Sequence, residues 1–457
     1  MLPDARETTK APDGFIFRGW EADDARGVVR LDYAYDNGLE FCETLDFKAP
    51  LPAPGSPLRA GFEAALEALS IAAGISYYKA FLPRRMTLAA ANLSPAQREF
   101  FQALYVDGLG EFAFRNRVDV GERVDFLHAG TADSLPSRKA APAALPRQSA
   151  VLLGGGKDSL VSVEILKQAG ESAVLFAVNP REPMFDCAAA SGLPLLSVER
   201  HLDERLFALG DGALNGHVPI TAIVSLIATA GAFVHGYDTI VLSSERSANE
   251  GNVVHEGRAV NHQFSKTAWF ERALQDYIAS FISTEPQYFS LLRPLSELHI
   301  AHLFARNERY DAGFTSCNRA FRIRERDGVR WCRDCPKCRF SFLVLATAMS
   351  PDRIAGIFGG NILDDEKQLP GYRELVGLVG HKPWDCVGEI AESRAALLWL
   401  ASKPEWRESA IVKALAADVR AVTANADADR AALLTPSPDH HMPARFERML
   451  DAYLGRR

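Results

Sequence analysis

The stretch 151-VLLGGGKDSLVSVEIL-166 decides the fold of this 457-residue chain. Its first residues end a short apolar run, and Leu160, Val163 and Leu166 then recur close to helical spacing. The three glycines at 154–156 therefore occupy a turn from a strand into a helix. Because glycine lacks a Cβ, backbone N–H groups in this turn can approach a ligand closely, and the helix dipole favours an anion there. The sequence predicts a phosphate-binding loop.

The spacing of these glycines excludes the two commonest phosphate loops, G-x-x-x-x-G-K-[ST] and G-x-G-x-x-G. In the phosphate-loop interpretation, Lys157 adds a positive point charge beside the ligand. The alternative interpretation is an ordinary glycine-rich turn that Asp158 and Ser159 cap. The rest of the chain has to decide between the two.

Strand and helix patterns alternate after residue 149. The predicted strands are 149–153, 173–179, 193–198 and 238–244, and the predicted helices are 159–169, 183–191 and 219–236. Such alternation predicts a parallel sheet with helices on both faces, in which ligands bind at the carboxyl ends of the strands. Ser244, Glu245 and Arg246 follow one such end. We expect Ser244 and Glu245 to contact a nucleotide and Arg246 to contact a substrate.

The chain before residue 149 has a different pattern of predicted strands and helices. Residues 28–47 alternate apolar and polar side chains on both sides of Asp36-Asn37-Gly38, which indicates a hairpin, and helical patterns follow at 59–73 and 94–116. A stretch rich in Ala, Pro and Ser then indicates a linker. The predicted regions are an α+β module at 14–128, the linker at 129–148, the nucleotide-binding domain at 149–350 and a mainly helical region at 351–457.

Four cysteines lie close together in the sequence. Cys332, Cys335 and Cys338 have C-x2-C-x2-C spacing, and Cys317 stands upstream of them. Four thiolates so arranged can close a tetrahedral zinc site that has no open position for a substrate. We expect a structural Zn²⁺ that staples a loop, with an iron–sulfur cluster as the alternative. The surrounding stretch, 316–340, also carries an excess of basic residues, which is either a solvated face or a phosphate-binding surface.

Charge and hydropathy limit the partners. The formal net charge is −7, so we expect neither nucleic acid nor an anionic membrane as a partner. No apolar run is long enough to span a bilayer, and the first residues do not have the pattern of a secretory signal. The chain has seven cysteines, four of them clustered, which fits a reducing compartment. We expect a cytoplasmic protein.

Residues 154–159, GGGKDS, resemble the S-G-G-x-D-S pyrophosphate loop of the N-type ATP pyrophosphatases, with glycine in place of the serine. With the four cysteines and Val218-Pro219, the region 148–345 also resembles the 7-cyano-7-deazaguanine synthases, which activate a carboxylate with ATP. Ile220-Thr221 stands where that group has Arg-Asn, so a different substrate is expected.

Over about 14–450 the chain resembles the bacterial UDP-N-acetylmuramoyl-L-alanyl-L-glutamate epimerases. The stretches that carry this resemblance include GISYYKAFLP, VDGLGEFAFRN, GGGKDSLVSVE, NGHVPITA, SSERSA, VNHQFSK, YFSLLRPLSEL, SCNRAF, WCRDCPKC and HKPWDCVGE. The resemblance implies an α/β fold of the PP-loop ATP pyrophosphatase (HUP-like) type, which is a parallel sheet with helices on both faces. The N-terminal α+β module, the zinc-stapled loop and the helical C-terminal region would be added to this sheet.

The resemblance implies ATP-dependent inversion of the terminal glutamate of this precursor through an acyl-adenylate, with release of AMP and pyrophosphate. Adenylation explains why an epimerase would need ATP, because an ionised carboxylate resists the loss of the proton beside it and an adenylate does not. The ATP phosphates would be held by Gly154, Gly155, Gly156, Lys157, Asp158 and Ser159. Asp158 would help to carry Mg²⁺. A muramoyl ligase that adds L-glutamate would supply the substrate.

Inversion requires an acid and a base within reach of the α-carbon. With Asp158, the first candidates for catalytic roles are His381 and Cys386, although a small buried residue is the alternative interpretation of Cys386. Further candidates for the pair are His217, His262, Lys266 and Glu389. The sequence does not decide among them.

The substrate's UDP-sugar part is assigned, as a hypothesis, to Tyr78 and Lys79 together with Arg322 and Arg324 of the basic stretch. Ordinary packing is the alternative for the tyrosine. Two other functions remain open: a carboxylate-adenylating ligase of the 7-cyano-7-deazaguanine synthase type, and a zinc-stapled nucleotide-binding module without turnover.

Overall fold

A computed structural model describes residues 11–126, 128–131, 143–255, 257–321 and 329–456. Arg322 and Arg324 lie outside these described residues. The chain forms two compact units. The first is drawn from the described parts of Met1–Pro146, Ser197–Gly236 and Ala273–Pro286, and the second from those of Arg147–Leu196, Tyr237–Arg272 and Gln287–Arg457. The division into 14–128, 129–148, 149–350 and 351–457 stays a prediction.

The elements of the described ranges follow in chain order. The strands are β1 (Gly14–Asp23), β2 (Val28–Tyr35), β3 (Glu40–Asp46), β4 (Arg85–Leu88), β5 (Gly130–Thr131), β6 (Ser149–Leu152), β7 (Ala173–Val178), β8 (Leu195–His201), β9 (Thr239–Leu242), β10 (Val253–His255), β11 (Arg258–Val260) and β12 (Gln287–Ser290). The α-helices are α1 (Arg59–Tyr78), α2 (Pro95–Gly108), α3 (Gly110–Asn116), α4 (Lys157–Gln168), α5 (Glu182–Ser191), α6 (Ile220–His235), α7 (Ala268–Tyr277), α8 (Glu297–Phe304), α9 (Pro336–Ala346), α10 (Pro351–Phe358), α11 (Leu369–Leu375), α12 (Ile390–Ala401), α13 (Ala410–Ala421), α14 (Ala426–Leu433) and α15 (Ala444–Leu454).

The first unit contains a mixed sheet. Strands β1, β2 and β3 pair antiparallel, while β4 lies parallel to β1 and β5 lies parallel to β4. The predicted hairpin is confirmed, because Ala34 pairs with Glu40 across the turn. Gly38 in that turn has φ +88°, a conformation that glycine adopts without steric penalty. The predicted helices at 59–73 and 94–116 are confirmed as α1, α2 and α3.

Helix α1 packs an aromatic core onto this sheet. Nearly all of its residues are buried, and the rings of Tyr33 and Tyr77 stack with centroids 4.9 Å apart. At Gly74 the helix lies so close to the sheet that an added Cβ would be 2.5 Å from the Phe17 ring. Tyr78 is fully buried, and its hydroxyl donates to the Pro83 carbonyl at 3.1 Å. The tyrosine thus contributes to the core of the first unit.

The second unit contains a parallel sheet in the order β12-β9-β6-β7. All three pairings are parallel, as the alternating pattern predicts, whereas the predicted strand 193–198 forms part of β8, whose end pairs antiparallel with β3. Because parallel strands end at the same edge, the segments after β6, β9 and β12 emerge together. These segments contain the glycine loop, Ser243–Glu245 and Arg293.

The helical C-terminal region belongs to the core of the second unit. The ring of Phe446 on α15 lies 4.6 Å from that of Phe289 on β12, and Trp406 is almost completely buried. The predicted helical character of this region is confirmed. A membrane-spanning helix is absent from the described ranges, where no helix combines the length and the apolar character that a bilayer requires.

Candidate active site

The glycine loop joins β6 to α4 at the carboxyl edge of the sheet. Gly155 has φ +80°, and its carbonyl accepts a hydrogen bond from the Thr315 N–H at 2.9 Å. A Cβ at Gly156 would lie 2.8 Å from the Ser316 Oγ, whereas a Cβ at Gly154 would meet no atom within 4 Å. Gly155 is therefore favoured by its positive φ and Gly156 by close packing, whereas Gly154 leaves open space beside the start of α4.

Lys157 begins α4 and is buried. Its ammonium donates to Asp158 Oδ1 at 2.6 Å and to the carboxylate of Glu297. Burial lowers the pKa of Lys157, but Asp158 and Glu297 together raise it above its ordinary value, so the side chain is a cation. Glu297 did not emerge from the sequence. A glutamate at the start of the apolar helix α8 was the available signal.

The segment after β9 brings Glu245 beside the glycine loop. Glu245 is 4 % exposed, and its pKa is raised by burial and by the charge of Asp158, while Lys266 lowers it. The Ser244 carbonyl accepts a hydrogen bond from the Ser290 hydroxyl at 2.6 Å. Sequence reasoning expected Glu245 and Asp158 at the same sheet edge, and the structure brings these two carboxylates together.

Arg246 is engaged with the backbone of the second unit. Its guanidinium donates to the carbonyls of Thr435 at 3.0 Å and Ala432 at 3.1 Å. These bonds satisfy the end of α14, so a substrate would have to compete with them. The assignment of Arg246 to substrate binding stays a prediction.

Buried Arg293 fixes two of the segments at this edge. Its guanidinium donates to Glu271 Oε2 at 2.8 Å, to the Glu245 carbonyl at 2.6 Å and to the Lys266 carbonyl at 2.7 Å. A charge-assisted network of this kind holds its acceptors rigidly. It therefore fixes the main chain at both Glu245 and Lys266.

Cys386 lies in the loop between α11 and α12. Its thiol interacts electrostatically with the side chains of Lys266 and His262. Burial by itself would raise the pKa of Cys386, but the charges of Lys266 and Lys337 and the contact with His262 bring it well below its usual value. The pKa of Lys266 is raised, chiefly by Cys386 and in addition by Glu245 and Asp158. Cys386 and Lys266 therefore belong to one cluster of interacting groups with Asp158 and Glu245.

The side chains of Asn252 and Glu250 hold the loop that carries Cys386 in place. The amide of Asn252 donates to the Pro383 carbonyl at 2.7 Å and accepts the His262 N–H at 2.8 Å. Lys382 in the same loop donates to Glu250 Oε2 at 3.1 Å. Asn252 thus connects the loop that carries Cys386 to His262, whose side chain interacts with the Cys386 thiol. Nothing in the sequence singles out this asparagine.

The remaining acid–base candidates are His381, Glu389 and His217. His381 is exposed, and its Nδ1 lies 2.8 Å from the Lys382 carbonyl. Glu389 is half-buried, and burial and Glu250 raise its pKa. His217 belongs to the first unit, where its Nδ1 lies 3.8 Å from a carboxylate oxygen of Glu111. Among the candidates, the structure places Lys266 and His262 directly beside Cys386.

Cys317, Cys332, Cys335 and Cys338 come together as the sequence predicts. Their sulfurs all lie within 4.8 Å of one another, with Cys332–Cys338 and Cys335–Cys338 separations of 3.8 Å and 3.5 Å. A tetrahedron of zinc–sulfur bonds of about 2.3 Å places the sulfurs about 3.8 Å apart. Cys335 also caps α9, with its sulfur accepting the Cys338 N–H. The cluster can hold a metal ion.

The fold and these side chains define a mixed α/β protein with a parallel-rich sheet and a cluster of charged and thiol side chains at its carboxyl edge. Two family models match the chain, the MurL N-terminal domain over residues 6–291 and the MurL C-terminal domain over residues 313–430. The chain belongs to the MurL family.

Three curated relatives are each named UDP-N-acetyl-alpha-D-muramoyl-L-alanyl-L-glutamate epimerase. The protein of Micromonospora sp. is 44% identical over 97% of this chain and 99% of its own length. Those of Salinispora tropica and Xanthomonas oryzae pv. oryzae are each 41% identical, over 96% and 95% of this chain and 96% of their own lengths. These findings confirm the family resemblance that the sequence motifs indicated.

Proposed function

We propose that this protein is an isomerase of cell-wall precursor synthesis, which inverts the terminal L-glutamate of UDP-N-acetylmuramoyl-L-alanyl-L-glutamate to D-glutamate. The names of its relatives support this substrate and this reaction. The observation that carries the proposal is the pair of Cys386 and Lys266 beside Asp158 and Glu245. An acid–base centre therefore adjoins a loop suited to phosphate.

In the proposed first step, ATP adenylates the α-carboxylate and pyrophosphate leaves. The turn at Gly154–Ser159, of the PP-loop type, would hold the ATP phosphates, because Gly154 leaves open space at the start of α4. Asp158 and Glu245 are oxygen donors whose mutual repulsion a divalent cation would relieve, so they fit Mg²⁺. When bound, Mg²⁺ would offset the charge on the departing pyrophosphate.

In the second step, the α-proton of the activated glutamate is exchanged, and hydrolysis of the adenylate then releases AMP and the D-glutamate product. The charges around Cys386 lower the pKa of its thiol, so that as a thiolate it would accept this proton, and Lys266 carries a proton that it can return. Once Cys386 is protonated, the charge that chiefly raises the pKa of Lys266 is gone, so the ammonium becomes a stronger acid. To act on opposite faces, the thiolate and the ammonium would have to separate so that the α-carbon binds between them.

The assignment of proton transfer to Cys386 and Lys266 leaves fewer candidates for the acid–base pair. Cys386 and Lys266 carry the proton transfer, and His262 supports the thiolate. His381 is exposed, and no step of the proposal is assigned to it. The UDP-sugar part is assigned to Lys79 with Tyr78, Arg322 and Arg324, which stays a prediction.

The experiment that tests the proposal combines two readouts from one reaction. Purified protein is given ATP, Mg²⁺ and the UDP-dipeptide in D₂O, and both pyrophosphate and α-deuterium are measured. We expect both to appear. Pyrophosphate without deuterium would favour a carboxylate-adenylating ligase, and neither product would favour a binding module without turnover.

We propose zinc for the four-cysteine cluster, with a structural role. Clustered free thiols are typical of a reducing compartment, which supports a cytoplasmic location and supply of the substrate there by a ligase that adds L-glutamate. The loop that carries Cys317 packs directly on the glycine loop through Thr315 and Ser316. Zinc would therefore hold the phosphate-binding turn in place.

Loss of zinc is expected to slow pyrophosphate formation, because Gly155 and Gly156 would lose the surface against which they pack. Metal content and pyrophosphate release are measured together for the wild type, for Cys338→Ser and for Cys42→Ser as a matched control. The control should keep both metal and activity, since Cys42 lies on β3 of the first unit. A zinc-free Cys338→Ser protein with full activity would contradict this role.

A further inference from the structure

Among the described residues, buried cationic side chains pair with carboxylates, with one exception. The described residues include five buried basic side chains. Four of them pair with carboxylates: Arg200 with Glu43, Lys157 with Asp158 and Glu297, Arg293 with Glu271, and Lys382 with Glu250. The fifth, Lys79 of the first unit, forms no ion pair with any described residue.

Lys79 follows α1 and is only 7 % exposed. Its Nζ donates to Asn215 Oδ1 at 3.0 Å and lies 6.0 Å from the centroid of the Phe112 ring. The same oxygen of Asn215 accepts the N–H of Gly216 at 2.8 Å, so the amide is held in place. An ammonium has three donors, and among the described residues Asn215 is the acceptor for one of them.

A buried ammonium without an anion is unfavourable, because burial removes hydration that no counter-charge replaces. A methionine of similar length would fill the same space without this penalty. The fold therefore keeps at Lys79 an attraction for negative charge that its own residues do not satisfy. An anionic ligand would complete the pairing found at the other four sites.

We propose that Lys79 and Asn215 form a subsite of the first unit for an oxyanion of the substrate, either a carboxylate or a phosphate. The inference rests on the proposed function for the identity of the substrate. Lys79 supplies the charge, and Asn215 fixes the direction of the ammonium. Carboxylate and phosphate oxygens share the chemistry that this subsite recognises, so the experiment has to distinguish them.

The proposal predicts that binding of the anion is accompanied by uptake of a proton by Lys79. Burial lowers the pKa of Lys79 to about 8. A bound anion favours the charged form and raises this pKa towards the ordinary lysine value of about 10.4. Between these two values the free protein has lost the proton that the complex retains. Binding in that window must therefore take up a proton.

The test is titration calorimetry with UDP-N-acetylmuramoyl-L-alanyl-L-glutamate, without ATP, in two buffers that differ in ionisation enthalpy. At about pH 8.5, above the pKa of free Lys79 and below that of ordinary lysine, we expect proton uptake by the wild type. Lys79→Met should lose this uptake and bind at least about 30-fold more weakly. Lys79→Arg should retain most of the affinity.

Two fragments identify the source of the oxyanion. N-acetyl-L-alanyl-L-glutamate has carboxylates and no phosphate, whereas UDP-N-acetylglucosamine has the diphosphate and no glutamate. The fragment whose competition with the full ligand weakens in Lys79→Met carries the group that Lys79 binds. Equal binding of the full ligand by wild type and Lys79→Met overturns the subsite alone, and absence of binding to the wild type overturns the proposed function.

A stability measurement separates this role from a structural one. Lys79→Met removes an unpaired charge, so its thermal unfolding midpoint should equal or exceed that of the wild type. In the same unit Arg200→Met is the matched control, which leaves Glu43 buried without a partner and should lower the midpoint. A Lys79→Met protein as destabilised as Arg200→Met would show that Lys79 serves the fold.

Discussion

The Cys386→Ser variant is expected to catalyse ATP–pyrophosphate exchange at nearly the wild-type rate while α-deuteration falls at least about 100-fold. A serine hydroxyl keeps its proton at neutral pH, so it cannot replace the thiolate that Lys266 and His262 maintain. Adenylation depends on the glycine loop and its carboxylates, which this substitution does not touch. Exchange of pyrophosphate and exchange of the α-proton, measured on the same preparation, should therefore separate.

The matched control is Cys42→Ser, which changes a half-buried thiol of the first unit that contacts Arg30 at 3.3 Å. Both exchange reactions should be unaffected in this variant. Loss of both reactions in Cys386→Ser would indicate a role in the fold, and retention of α-deuteration would remove Cys386 from the mechanism.

The charge of Lys266 determines the sign of the pH dependence. Burial raises the pKa of Cys386 and Lys266 lowers it, so Lys266→Met leaves the effect of burial less opposed. In the wild type the thiolate is lost only when the pH falls below this lowered pKa. In Lys266→Met the loss should occur at higher pH, and the ultraviolet absorbance of the thiolate during titration measures the shift.

The second large effect is expected for Lys157→Met, which should reduce the free energy of unfolding by about 3–5 kcal/mol. The substitution leaves Glu297 buried without its cation, and the side chains of Lys157 and Glu297 are only 4% and 8% exposed. Solvent therefore screens this pair very little. Chemical denaturation followed by circular dichroism measures the change.

The double variant Lys157→Met/Glu297→Leu should recover most of that stability, because apolar side chains can replace a buried ion pair at little net cost. It should still fail in ATP–pyrophosphate exchange, since Asp158 loses the ammonium that holds it at 2.6 Å. A single variant with unchanged stability would contradict the energetic argument. A double variant with full exchange would show that the loop needs no lysine.

The strands and helices of the second unit could be predicted from the sequence where the hydrophobic pattern of a short segment was sufficient. The short apolar runs of β6, β7 and β9 and the helical spacing after residue 157 specify parallel strands joined by helices. The pairing of β1 with β4 could not be predicted, because it joins Gly14 to Arg85 across α1. Non-local pairings of this kind depend on packing that no short window of sequence contains.

Some residues of the candidate site could likewise be placed from the sequence, and others could not. Asp158 and Glu245 follow parallel strands, so the rule that strand ends share an edge was sufficient to bring them together. Cys386 is more than a hundred residues from Lys266, and no periodicity connects them. Only the folded chain shows which charges lower the pKa of its thiol. Burial likewise distinguishes Lys79 from an ordinary surface lysine.

The most direct test of the central claim is the dependence of α-proton exchange on ATP. Wild-type protein and the UDP-dipeptide are incubated in D₂O with Mg²⁺, with and without ATP, and deuterium at the glutamate α-carbon is measured by mass spectrometry. Because the carboxylate must be adenylated before Cys386 can remove the proton, deuterium should appear only with ATP. Equal deuteration without ATP would contradict the account.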